Sequence, residues 1–187
     1  MKKLLIVLGL ATFSLGYSQG GTLVVNNYTP YDYYGAIIAH NFAGGCYPYV
    51  SSKDPNMITV PANANMSTGT ELRYDNYRDQ YTSSLYPVTE WNVSLSATAG
   101  PPRLWNHPAV MPGSPVSNNT RWGATKFQMR IAGTTTNAPD NFNANLSVAG
   151  NSCYLAPDYF TTPSGSNSAE MFMISSGGIN YTYINLY

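Results

Sequence analysis

The sequence predicts an all-β protein, an antiparallel β-sandwich with a two-sheet architecture like that of immunoglobulin and jelly-roll domains and at most one or two short helices. Short runs in which apolar and polar residues alternate recur along the chain, and this period of two is typical of half-buried strands. Clusters of Gly, Pro, Asn and Ser separate the runs and favour turns. Because runs and loops are uneven in length, a sandwich is favoured over a regular closed barrel.

The strands follow from the pattern of each apolar run. Trp91, Val93 and Leu95 share one face of their segment, whereas 171–174 is apolar without alternation, which predicts a strand covered on both faces. The final segment is rich in Tyr, Ile and Thr and predicts a terminal strand. The predicted strands are 23–25, 35–40, 47–50, 57–60, 90–97, 122–131, 171–174 and 179–187.

The predicted core consists of the apolar residues that alternate inward along these strands. They are Val25, Ile37, Trp91, Val93, Leu95, Phe127, Met129, Ile131, Phe172 and Ile174.

One segment departs from the strand pattern. Tyr74, Tyr77 and Tyr81 recur at helix-like spacing in a stretch rich in charged residues. This pattern predicts a short surface helix or a long loop, and the helix is expected within 66–81.

The start of the chain has the layout of a secretory signal peptide. Lys2 and Lys3 precede an apolar run over 4–15, and Gly16 and Ser18 place small residues before a cleavage site. The run is too short to span a bilayer, which takes about 20 residues. We therefore expect a signal peptide over 1–18 and one exported domain over 19–187, located in the periplasm or outside the cell. The residue directly after the cut is Gln19 and not a cysteine, so no lipid anchor is expected, and the short apolar run predicts no membrane span.

The two cysteines, Cys46 and Cys153, both lie in the expected mature chain. In an oxidising compartment an isolated pair is more often bridged than free. The sequence therefore predicts a Cys46–Cys153 disulfide.

The segment Gly21-Thr22-Leu23-Val24-Val25-Asn26-Asn27-Tyr28-Thr29 resembles the first strand of thaumatin-like sandwiches. The dense cysteine framework of that family is absent from this chain. The resemblance therefore brings no site residue and no activity with it.

Composition and motifs argue against catalysis. No Gly-x-Ser-x-Gly nucleophile motif occurs, and the disulfide would remove the thiolate that Cys–His catalysis needs. His40 and His107 are far apart; His40 is expected to be a hydrogen-bonded structural residue at the end of a strand, and His107 to lie exposed in a loop. We assign no catalytic residue, no metal site and no cofactor. Paired carboxylates for glycoside hydrolysis can come from distant strands, so Glu71, Glu90 and Glu170 stay open for that role.

Charge also limits the possible partners. Without the signal peptide the chain carries seven Lys and Arg against nine Asp and Glu, a net charge of −2. A nucleic-acid partner, which calls for a basic stripe, is therefore not expected.

Aromatic residues carry the functional prediction. Tyr28, Tyr31, Tyr33 and Tyr34 cluster beside two asparagines, and such Tyr- and Asn-rich surfaces are typical of binding loops. The alternative for each tyrosine is a strand residue whose hydroxyl reaches water at a sheet edge.

The sequence predicts a non-enzymatic binding or accessory protein of the bacterial envelope that contacts another envelope protein. The alternative is a glycan-binding module or carbohydrate-active protein that stacks exposed Trp and Tyr loops on sugars. The predicted contact residues are Tyr28, Tyr31, Tyr33, Tyr34, Trp105 and Trp122.

Overall fold

Strands dominate the protein, as its alternating pattern predicts. The structure, a computed structural model, describes residues 20–52, 57–77, 85–98 and 100–187. The expected signal peptide over 1–18 and the expected mature start at Gln19 lie outside the described residues. The strands, in chain order, are β1 (Thr22–Asn27), β2 (Tyr31–His40), β3 (Tyr49–Ser51), β4 (Ile58–Val60), β5 (Leu72–Tyr74), β6 (Glu90–Ser94), β7 (Pro102–Leu104), β8 (Arg121–Ile131), β9 (Asn143–Ser147), β10 (Tyr159–Thr161), β11 (Ser168–Ser176) and β12 (Ile179–Leu186).

The strands form two packed sheets, and the predicted β-sandwich is confirmed. The five-stranded sheet has the order β10-β11-β12-β1-β5, and its pairs are antiparallel except for β1 with β12, which run parallel. The seven-stranded sheet has the order β7-β6-β3-β2-β8-β9. In this sheet β4 pairs with the first half of β2 and β3 with the second half, so β3 and β4 lie end to end beside the same strand.

The core lies between the sheets and contains most of the predicted residues. Val25, Ile37 and Trp91 are fully buried, and Val93, Phe127 and Met129 are buried as well. Each of these side chains lies at an inward position of its strand, which is what a period of two produces when one face is covered.

The core prediction is wrong for four residues, because the pattern does not show where a strand ends or which face is covered. Leu95 is 72% exposed because β6 ends at Ser94, and Ile131 is 44% exposed at the last position of β8. In β11 the alternation places Met171 inward, so Phe172 is half-buried on the outward face and Ile174 is 51% exposed there. The strand predicted to be covered on both faces is therefore covered on one.

The helices of the described residues lie outside 66–77, the described part of the segment predicted to contain one. Residues 72–74 form β5, whose Leu72 and Tyr74 point into the core, and 78–81 lie outside the described residues. A 3-10 helix forms at Pro108–Val110, and a short α-helix, α1, forms at Pro115–Asn119. Both begin with a proline after a capping side chain, His107 and Ser114 respectively, which is a favourable helix start.

Four buried aromatic residues pack in one cluster inside the sandwich. Tyr74, Tyr77, Trp91 and Trp122 contact one another mostly in edge-on or tilted geometries, with ring centroids between 5.1 and 6.2 Å apart. The indole N–H of Trp91 donates to the Tyr77 carbonyl and that of Trp122 to the Gly21 carbonyl, each at 3.0 Å. The indoles thus combine apolar burial with satisfied N–H groups.

The predicted disulfide is present. Cys46 lies in the loop after β2 and Cys153 in the loop after β9, with their Cα atoms 5.2 Å apart. The bridge joins the loop over 41–48, which follows β2, to the loop over 148–158, which follows β9.

Candidate functional site

The structure separates the tyrosines that the sequence grouped into one loop. Tyr31, Tyr33 and Tyr34 belong to β2, so the expected tyrosine loop is wrong. Tyr33 is fully buried, and Tyr31 is half-buried against the core. Tyr34 lies on the outward face of the seven-stranded sheet beneath the Arg130 guanidinium, whose Cζ is 3.4 Å from the ring centroid.

The two predicted tryptophans do not join these tyrosines. Trp122 is 2% exposed and belongs to the aromatic cluster of the core, so it offers no ring face to a ligand. Trp105 is half-buried after β7, where its backbone N–H donates to the Thr89 carbonyl at 2.9 Å. Tyr28 stacks on another exposed tyrosine, Tyr187, with centroids 5.6 Å apart and ring planes at 4°.

That stack belongs to an aromatic surface on the outward side of the five-stranded sheet, which we call the tyrosine face. Thr182, Ile184 and Leu186 of β12 are buried, so the alternate positions of that strand point outward. The same argument applies to β11, where Ala169 and Met171 are buried. The tyrosine face comprises Tyr28, Tyr159, Glu170, Phe172, Tyr181, Tyr183, Asn185 and Tyr187.

Strand register arranges these side chains in rows across the sheet. One row runs from Tyr159 through Glu170 and Asn185 to Asn26. The next contains Phe172 and Tyr183, whose rings stack with centroids 5.3 Å apart and planes at 19°. Adjacent rows are separated by two strand residues, about 7 Å. Aromatic rings and polar groups therefore alternate over one continuous surface.

A chain of hydrogen bonds holds the polar row in place. Asn26 Nδ2 donates to Asn185 Oδ1 at 2.9 Å, and Asn185 Nδ2 donates to Glu170 Oε1 at 2.9 Å. The Tyr187 hydroxyl donates to the same carboxylate oxygen at 3.0 Å. Asn26 and Asn185 are buried, so their hydrogen bonds hold the Glu170 carboxylate in one orientation.

The electrostatics of this face are simple. Partial burial, with Glu170 as the next cause, raises the pKa of Tyr187, so its hydroxyl stays protonated as a donor. At the far edge, Arg73 pairs with Asp75 at 3.0 Å, and both side chains are more than half exposed. Such an exposed pair contributes little to stability. The tyrosine face can stack on a flat ligand and exchange hydrogen bonds with it.

A second cluster, which the sequence did not reveal, surrounds His40. Its ring is 1% exposed and lies among Phe42, Tyr49 and Tyr154, with centroids 5.2 to 6.3 Å away. Neither ring nitrogen has a hydrogen-bond partner within the described part of the chain, so the expected hydrogen-bonded histidine is buried but unbonded. Burial lowers the pKa of His40 to about 4. His107 is half-buried, and its Nδ1 accepts the Ala109 N–H at 3.0 Å.

The described residues also form shallow surface clefts. One lies between β4 and 85–89, and two lie on either side of the 155–157 segment.

Among residues 20–52, 57–77, 85–98 and 100–187, no three His, Cys, Asp or Glu side chains converge as metal ligands would. Within those same ranges no helix is long and apolar enough to cross a membrane. Comparison of the chain with family models, curated proteins and solved structures gave no match.

The alternation in the last strand is a sequence signal for part of the tyrosine face. Tyr181, Tyr183, Asn185 and Tyr187 occur at every second position, interleaved with Thr182, Ile184 and Leu186. That alternation identifies a strand with one aromatic outward face. The partners of this strand, β11 and β1, come from distant parts of the chain, so the full surface emerges only with the sheet order.

Proposed function

We propose that this chain is an exported binding protein that acts by contact and not by catalysis, and that its tyrosine face binds a glycan. One observation carries the proposal: exposed aromatic rings and oriented hydrogen-bonding groups alternate on one open sheet face. Tyr159 is 54% exposed, Tyr187 48% and Tyr28 41%, so their rings are accessible to a ligand.

The chemistry of the face favours a sugar polymer. A sugar ring presents a C–H face, which packs on the electron-rich face of an aromatic ring, and a rim of hydroxyls. The Glu170 carboxylate accepts hydrogen bonds from such hydroxyls, and tyrosine hydroxyls both donate and accept them. The rings are held by stacking on neighbours, as Phe172 and Tyr183 are, so binding immobilises few new torsions.

A protein partner in the envelope, which the sequence favoured, is the second candidate. Ile174 and Ile179 are exposed at one end of the same sheet. Aliphatic side chains stack poorly on sugars but suit the apolar centre of a protein interface. In this case the contact surface would shift from the tyrosines toward the β11–β12 turn.

The disulfide supports the proposed location. Disulfides persist in the periplasm and outside the cell and are rare in the cytosol. Together with the signal-peptide layout of residues 1–18, the Cys46–Cys153 bridge supports export.

Affinity electrophoresis in gels containing soluble polysaccharides tests the proposal. We expect a neutral polysaccharide to retard the wild-type protein, and Tyr159→Ala or Tyr183→Ala to weaken binding by about 1–2 kcal/mol, roughly 5- to 30-fold. Tyr34→Ala is the matched control because Tyr34 is a half-buried tyrosine on the outward face of the other sheet. Equal losses in Tyr34→Ala and Tyr183→Ala, or no retardation in any gel, would contradict the proposal.

A further inference from the structure

We infer that Glu170 is a specificity-determining residue that makes the tyrosine face select uncharged glycans over acidic ones. The inference rests on the proposed function. Glu170 lies opposite Tyr159 on one side and Asn185 on the other, in the polar row beside the row of Phe172 and Tyr183. A chain stacked along these rings passes beside the carboxylate.

The carboxylate is oriented on one side and open on the other. Oε1 accepts from Asn185 and Tyr187, whereas Oε2 makes no hydrogen bond to any residue of the described ranges. Glu170 is half-buried on an outward position, so Oε2 is available to a ligand. An ionised carboxylate only accepts hydrogen bonds, and it therefore pairs with a sugar hydroxyl but not with another carboxylate.

Within the described residues, no cation pairs with Glu170. The nearest arginine of the sheet in strand order, Arg73, lies three strands away on β5 and pairs with Asp75. Three strand spacings are about 14 Å, which exceeds the screening length of about 10 Å at 0.1 M salt. The charge of Glu170 thus acts locally on whatever crosses the rings.

The expected discrimination follows from Coulomb's law. When a carboxylate of the ligand is held about 4 Å from that of Glu170, Coulomb repulsion weakens binding about fivefold even at the dielectric constant of bulk water. The repulsion is stronger where the ligand displaces water. A neutral glycan makes a charge-assisted hydrogen bond at the same place. One side chain therefore both attracts hydroxyls and repels acidic groups.

The test compares neutral polysaccharides with acidic derivatives of the same backbone. Hydroxyethylcellulose, galactomannan and dextran are each paired with their carboxymethylated form, and dissociation constants are measured by affinity electrophoresis. We expect wild-type protein to bind a neutral member at least about fivefold more tightly than its acidic partner. Glu170→Gln keeps the size and the Oε1 acceptor but removes the charge, so the ratio should fall to about one, mainly through tighter binding of the acidic form.

Two controls keep the result interpretable. Glu90→Gln removes a carboxylate from the seven-stranded sheet and should leave the ratio unchanged. Raising salt to 1 M with wild-type protein shortens the screening length to about 3 Å, so the ratio should shrink without any mutation. This second measurement holds even where the variant does not fold.

The outcomes separate the inference from the proposed function. Failure of every neutral polysaccharide to bind would contradict the proposed function itself. Binding of neutral and carboxymethylated forms with equal strength, or an unchanged ratio in folded Glu170→Gln protein, would overturn the inference while glycan binding stands. Equal weakening of both forms in that variant would also overturn it, because it would show a role in orientation alone.

Discussion

Asn27 connects three segments through a single buried side chain. It is 0% exposed, and its Nδ2 donates to the carbonyls of Tyr31, Val60 and Pro61 at 2.7, 3.2 and 2.9 Å. Its Oδ1 accepts from the backbone and hydroxyl of Thr29. The amide thus fixes the β1–β2 turn against the end of β4, where backbone groups would otherwise be left unpaired.

Replacing this amide should be costly. We expect Asn27→Ala to lower the free energy of unfolding by about 2–4 kcal/mol, because several buried groups lose partners at once. Urea denaturation followed by tryptophan fluorescence measures the change. Asn145→Ala, on the exposed side of β9, should change stability by less than about 0.5 kcal/mol. Equal effects at both positions would show that the Asn27 network is not needed.

His40 makes stability depend on pH. Its folded pKa of about 4 lies below the unfolded value of about 6.5, so the unfolded state binds a proton first as the pH falls. Above about pH 6.5 the effect of His40 on the free energy of unfolding does not change with pH. Between about pH 6.5 and pH 4 the free energy of unfolding falls, and below about pH 4 the total loss is constant at roughly 3 kcal/mol. His40→Phe should remove this slope and be relatively more stable at pH 5 than at pH 7. Unfolding at both pH values checks this, with His107→Gln as the control that keeps the slope.

At the scale of single elements, periodicity predicted which residues share a face but not which face is covered. Val93 and Leu95 belong to one alternating series, yet β6 ends between them and only Val93 is buried. In β11 the apolar Phe172 occupies the outward face because aromatic residues suit an exposed strand surface as well as a core. Clustered Tyr and Asn residues are typical of binding loops, but Tyr31, Tyr33 and Tyr34 belong to β2, because tyrosine also suits a strand.

The disulfide was predictable because the expected mature chain contains only two cysteines. Purified native protein should therefore take up no alkylating reagent until it is reduced, as measured by intact mass. Reduction removes a loop-entropy stabilisation that the chain-entropy model puts at about 4.7 kcal/mol for a loop of this length. We therefore expect the free energy of unfolding to fall by about 2–5 kcal/mol, the usual range for loss of a native disulfide. Two alkylatable thiols in unreduced protein would contradict the bridge.

At the scale of the molecule, the sheet order could not be derived from local patterns. The parallel pairing of β1 with β12 joins segments from opposite ends of the described chain, and it brings Tyr28 beside Tyr187. Parallel partners are connected through long stretches of chain and leave no turn signal between them. The tyrosine face is therefore a product of topology, although every tyrosine in it is visible in the sequence.

The two outward sheet faces differ in character, and a footprint of the whole surface should distinguish them. With a bound neutral polysaccharide, we expect hydroxyl-radical oxidation, measured by mass spectrometry, to fall at Tyr159, Phe172 and Tyr187 because the ligand covers their rings. Tyr34 on the other sheet should be oxidised equally with and without ligand, since the Arg130 guanidinium already covers one side of its ring. Protection concentrated at Tyr34 would place the binding surface on the seven-stranded sheet and contradict the assignment of the site.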